Sequence, residues 1–244
     1  MKFNKAYKKI EKNQTLSVLL PFIVPIFQTG LESEKKYKKT DIDFLERIID
    51  ILDSIEQIYM LIDFLAQEKQ EEQSHVKYSV YLIEDILFRF TCIFDKCLHL
   101  SSIICGMSIS LKEYEEHLIG ADRLTHKGQI KTALVELNRF THEFRLKRKR
   151  IACSGCFSET ELERIQSLFV LFKDSHELHG DRLSKYRKNF ISYLAEKEEM
   201  FRSNTLRLEK LVDNFFITFI PELQVFILKK YDINPSEKYH RDSP

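Results

Sequence analysis

His142, Arg145, Arg148 and Cys153 lie within one short stretch of the chain, "HEFRLKRKRIAC", and their types suggest chemistry. A histidine can act as general base toward a ribose 2′-hydroxyl, and an arginine nearby can hold the phosphate. His142 with Arg145 and Arg148 meets that description. The simpler reading of the same histidine, beside Glu143, is an ordinary surface residue. The run Arg145, Lys147, Arg148, Lys149, Arg150 is dense enough to bind a phosphate backbone. Phe140 and Phe144 interleave with it, but at the i,i+4 spacing of core residues. A structural explanation competes here, because cations near a helix C-terminus interact well with its exposed carbonyls.

The stretch continues into Cys153-Ser154-Gly155-Cys156. One such pair is half of a structural zinc site, which takes four ligands. Cys92, Cys97 and Cys105 belong to another helical segment and have unsuitable spacing. Redox chemistry needs a strand–turn–helix setting, which the pattern does not provide. Ordinary cysteines at a helix break are the simpler reading. There is no Gly-rich phosphate loop and no His-Glu-x-x-His, so neither a cofactor nor a metal is expected.

The elements that must position these residues read as long helices. Only 6 Gly and 5 Pro occur in 244 residues, too few for the turns of a sheet protein. A helix capped by Thr40 or Asp41 is predicted to run to about Gln67. Its stripe of Leu45, Ile48, Leu52, Ile55, Tyr59 and Ile62 is widened by Ile49, Ile51, Ile58 and Leu61. A second helix runs from Val76 to about Met107. Along it Asp85, Arg89, Cys92, Lys96 and His99 share a face, read as a solvated or partner-facing stripe or as a catalytic row. A third, Gly128 to about Ile151, carries the basic run, and "CSGCFS" ends it. Ser158 and Glu161 form a capping box for a fourth, running to about Asp174. The last pattern covers Leu183 to Tyr231, with Pro221 expected to kink or divide it.

With 43% hydrophobic residues the chain can bury a large core, and a net charge of +1 leaves only local patches to attract a polyanion. Five cysteines and no secretory pattern point to the cytoplasm. "LSVLLPFIVPIF", Leu16 to Phe27, is too short to span a membrane, so no membrane association is expected. The predicted organisation is an N-terminal extension over 1–40, with an exposed short helix and a buried Pro-containing apolar segment. A helical bundle over 41–235 and a flexible tail over 236–244 follow. The apolar 214–228 stretch needs covering, within the molecule or by a second copy, which favours a homodimer.

Two stretches, "YSVYLIEDILFRFTCIFDKCLHLSSIICGMSIS" and "FRLKRKRIACSGCFSETELERI", resemble the HEPN-like all-helical proteins found in many bacteria of Gram-positive type. The resemblance could cover about residues 75–235. It implies an all-α bundle and a dimer across which two Arg-x4–6-His motifs form a metal-independent RNA-cleaving site. Carried over, Arg148 takes the motif arginine, Lys149 the polar position that is usually Asn or Asp, and Cys153 the histidine position. No Arg here is followed after four to six residues by His. The resemblance thus implies a degenerate Arg-x4-His motif at Arg148 and Cys153; with His142 from the residue reading above, these are the candidate catalytic positions. The expectation is an all-α, HEPN-like, non-catalytic binding module that contacts RNA or another polyanion through Arg145, Lys147, Arg148, Lys149 and Arg150. A divergent ribonuclease and an assembly subunit binding an acidic protein are the alternatives.

Overall fold

A computed structural model describes residues 2–24, 43–68, 76–104, 125–154, 159, 163–164, 167 and 180–231. Among them the chain is helical, with no strand: α1 (Lys2–Lys12), a 3-10 turn (Leu16–Leu19), α2 (Asp43–Glu68), α3 (Val76–Ile104), α4 (Thr125–Ser154) and α5 (Gly180–Tyr231). This is an all-α bundle of long helices. The proposed caps at Thr40 or Asp41, the Ser158–Glu161 capping box, Cys105, Cys156 and the 236–244 tail lie outside the described residues.

The chain forms two compact units, and each of α2 to α5 contributes a segment to both. The first unit contains α1, the 3-10 turn, and residues 43–53, 94–104, 125–138 and 210–231 of the long helices. Ile10, Leu16, Leu19 and Ile23 are fully buried there, so the N-terminal segment packs one face inward. Lys9 pairs with Asp53, tying α1 to α2, and the Asn13 Oδ1 accepts the Leu16 N–H at 3.0 Å. α1 is therefore docked rather than simply exposed. The Phe44 ring meets Phe226 edge-on at 5.7 Å, and Phe215 stacks on Phe219 at 5.0 Å.

The second unit takes residues 54–68, 76–93, 139–154 and 180–209. Its centre is Phe90, fully buried and stacked on Phe144 at 4.6 Å, with Phe140 and Phe201 each at 6.2 Å. Phe140 and Phe144 are thus core residues, as their spacing implies. In α2, Leu45, Ile48, Ile55 and Ile62 are buried together with Ile51, Ile58 and Leu61. Ile49, Leu52 and Tyr59 of the predicted stripe are only half-buried, at its margins.

Pro221 does not divide the last helix, since α5 runs unbroken through it for 52 residues. The proline lies on an exposed side, one turn from Ile217, which is 59% exposed. The Ile217 carbonyl loses its usual N–H partner there, while Phe219 and Leu223 remain fully buried and hold the helix down. A buried apolar core on both sides of the proline thus outweighs one missing hydrogen bond.

Candidate nucleic-acid interface

The basic run sits in the second unit, on α4. That helix continues to Ser154, one turn past the boundary near Ile151 that the sequence suggests, and Cys153 is helical. No basic residue falls in the last turn. Charge–dipole stabilisation fades within a turn of the helix end, so it does not account for Lys147 or Arg148.

Helical geometry divides the run into two arcs. With about 100° per residue, Arg145, Arg148 and Lys149 fall within about 100° of one another, and Lys147 and Arg150 occupy a separate arc. Arg148 leans onto α3. Its Nη1 donates to the Thr91 Oγ1 at 3.1 Å, and its guanidinium lies over the Phe88 ring, 4.3 Å from the centroid. The Thr91 hydroxyl in turn donates to the Phe88 carbonyl at 2.7 Å. These neutral partners orient the guanidinium and leave its charge uncompensated. Arg145 donates to the Thr141 Oγ1 at 3.0 Å. Lys149 and Arg150 are exposed and Lys147 is half-buried. Among the described residues no carboxylate pairs with Lys147, Arg148 or Lys149.

The three candidate catalytic positions are not gathered on one side of α4. His142 is exposed, and it lies about 120° around the helix from Arg148. Cys153 is exposed and shares the face of His142, but eleven residues of rise separate them by about 16 Å along the axis. Within one protomer, no site ~3 Å from all three can exist. Among the described residues no group of three or more His, Cys, Asp or Glu side chains could hold a metal ion. Cys97 is fully buried, and burial pushes its thiol well above the usual range, which makes it inert.

The other charged row, on α3, is half-buried and engaged by α2. In the second unit Arg89 donates to the Asp85 Oδ2 at 3.2 Å and also bonds Gln57. In the first unit Lys96 donates to the Asp50 carbonyl at 3.0 Å. This row holds helices together.

Some surface features have no counterpart among the residues singled out from sequence. Lys185 and Lys188 on α5 are exposed cations of the same unit as the basic run, and among the described residues neither has an acidic partner. Their concentration in "SKYRK" was the available signal. Tyr78, Tyr81 and Phe88 stand exposed on one face of α3. Their helical spacing is indistinguishable from that of core residues, so only burial separates them. Glu159 accepts from the Tyr193 hydroxyl at 3.1 Å and pairs with Lys197, both on α5.

α5 is also long and apolar enough, between Arg187 and Lys230, to cross a membrane by length and composition; a third of its most apolar 18-residue window is buried in the molecule. No family model, curated protein or solved structure matches this chain.

Proposed function

We propose that this protein is a non-catalytic, HEPN-like helical module of the cytoplasm that contacts RNA or a similar polyanion through α4. One observation carries the reading: Lys147, Arg148 and Lys149 have no acidic partner among the described residues. In a chain with a net charge of only +1, such a group is a local attractor. Exposed Lys149 and Arg150, with Lys185 and Lys188 in the same unit, extend the positive surface. The separation of His142 from Arg148 around α4 favours binding over cleavage by a single protomer.

α5 is read as a core helix rather than a membrane span, because Phe215, Phe216, Phe219, Leu223 and Ile227 face the interior. Exposed Ile217 and Val225 on the same helix support a homodimer, whose second copy would cover them.

A titration with a short single-stranded RNA at several salt concentrations tests this reading. Affinity that falls steeply with salt, with a log–log slope of about −0.7 per phosphate neutralised, is the expected result. Affinity that is absent at low salt removes the reading and leaves an acidic protein partner. RNA cleavage without added metal, abolished in His142→Ala, would instead make the protein a ribonuclease.

A further inference from the structure

One exposed ring of α3, Phe88, adjoins Arg148 of α4, and two more exposed rings share its helix face; this combination narrows the ligand. Tyr81 is 65% exposed and Phe88 45%, with Tyr78 one turn before Tyr81 on the same side. By helical geometry the three lie within about 80° of one another. The one carboxylate between Tyr81 and Phe88 on that arc, Asp85, is paired with Arg89. Arg148 closes the Phe88 end of the row. Its guanidinium carbon lies 4.3 Å from the Phe88 centroid, its Nη1 is fixed by Thr91, and the residue remains exposed.

Phosphate neutralisation alone requires none of this. Lysines on any exposed helix bind a backbone, duplex or single-stranded. A guanidinium placed over an exposed ring, with further exposed rings along the same helix, suits the stacking of unpaired bases. Bases in a duplex are already stacked on one another and present no free face to a side-chain ring. We infer that the ligand of this surface is single-stranded RNA. One base extends the Phe88–Arg148 stack on the outer plane of Arg148, another lies on Tyr81, and the phosphates face Arg145 and Lys149. This rests on the RNA-binding reading above and adds that bases, not only phosphates, are held.

The test compares three ligands with equal numbers of phosphates: a single-stranded oligoribonucleotide, a blunt duplex, and a strand with abasic positions. It uses the full chain and the variants Tyr81→Ala, Phe88→Leu and Lys147→Glu/Lys149→Glu. Helicity by circular dichroism controls for folding, and the exposure of Tyr81 makes its variant safe for the fold. The single strand is expected to bind at least about tenfold more tightly than either competitor. Each ring variant should lose about tenfold for the single strand with an unchanged salt slope, whereas the charge reversal should lower the slope. A 2-aminopurine placed in the strand should be quenched on binding to the wild type and less so to Tyr81→Ala. Equal affinity for all three ligands, unaffected by the ring variants, would overturn the stacking inference and leave electrostatic RNA binding standing. Failure of every strand to bind at low salt would overturn both.

Discussion

Two charged rows lie on neighbouring helices in the chain, and they end in opposite circumstances. Along α3, Arg89 is taken up by Asp85 and Gln57, and Lys96 by the Asp50 carbonyl. Along α4, exposed Arg148 and Lys149 meet no carboxylate among the described residues. Composition alone would rank the rows alike. The difference lies in what each row faces. A half-buried charge must find partners because desolvation is expensive, so the α3 row became part of the packing. An exposed charge has no such need and stays available to a ligand. A charged row therefore becomes a candidate binding surface once its partners are known, not when its residues are counted.

The largest expected effect lies beneath the α4 row. Phe90→Ala removes the ring on which Phe144 stacks, and unfolding in urea should show a loss of about 3–5 kcal/mol. A loss under about 1 kcal/mol would mean that α4 is not held to α3 by this cluster. Next comes the reversal Lys147→Glu/Lys149→Glu. RNA affinity should drop at least about tenfold, and the salt slope by about 0.7, because only Lys149 of the pair lies on the arc of Arg145 and Arg148, while the urea midpoint stays nearly unchanged. A destabilised but still RNA-binding variant would erase the contrast between the rows.

Lys96→Met probes the opposite row. It should cost about 1 kcal/mol of stability, because the Asp50 carbonyl loses a charged donor, and should leave RNA affinity alone. The smallest effect concerns the α2–α5 packing of the second unit. The Tyr59 hydroxyl donates to the Glu209 Oε2 at 2.8 Å, and its pKa is pushed up to about 12 by burial and by the Glu209 carboxylate. The folded-state value lies above the unfolded one near 10, so the stabilisation is complete below that pH and is lost as pH rises toward 12. Tyr59→Phe should cost under about 1 kcal/mol at neutral pH and show a flatter stability profile across that alkaline window. Parallel profiles for the two proteins would mean that the phenol is not coupled to folding.

Helix positions were legible because the apolar spacing is regular and Gly and Pro are scarce. The start of the second long helix at Val76 and the end of the last at Tyr231 agree with the pattern. Its limits showed where local signals compete with packing. Pro221 is a strong breaker in isolation, yet Phe219 and Leu223 anchor α5 on both sides of it. "CSGC" reads as a break from composition, yet α4 keeps its helix through Ser154. For the candidate site, the cations of α4 were visible as a run, while their division into two arcs follows from helical pitch. The aromatic half was invisible, since Tyr81 and Phe88 share the spacing of the buried Leu82, Ile83, Ile86 and Leu87 around them.

By itself, then, the amino-acid order determined an all-α chain with long amphipathic helices, a dense basic stretch on one of them, and no metal or nucleotide motif. Periodicity and residue type are local properties, and one dimension suffices to carry them. Tertiary structure alone decided which charges were neutralised, that Arg148 lies on Phe88, and that Tyr81 and Phe88 stay exposed. Those outcomes depend on which helix face meets which neighbour, and burial and pairing energies set that choice over residues far apart in the chain.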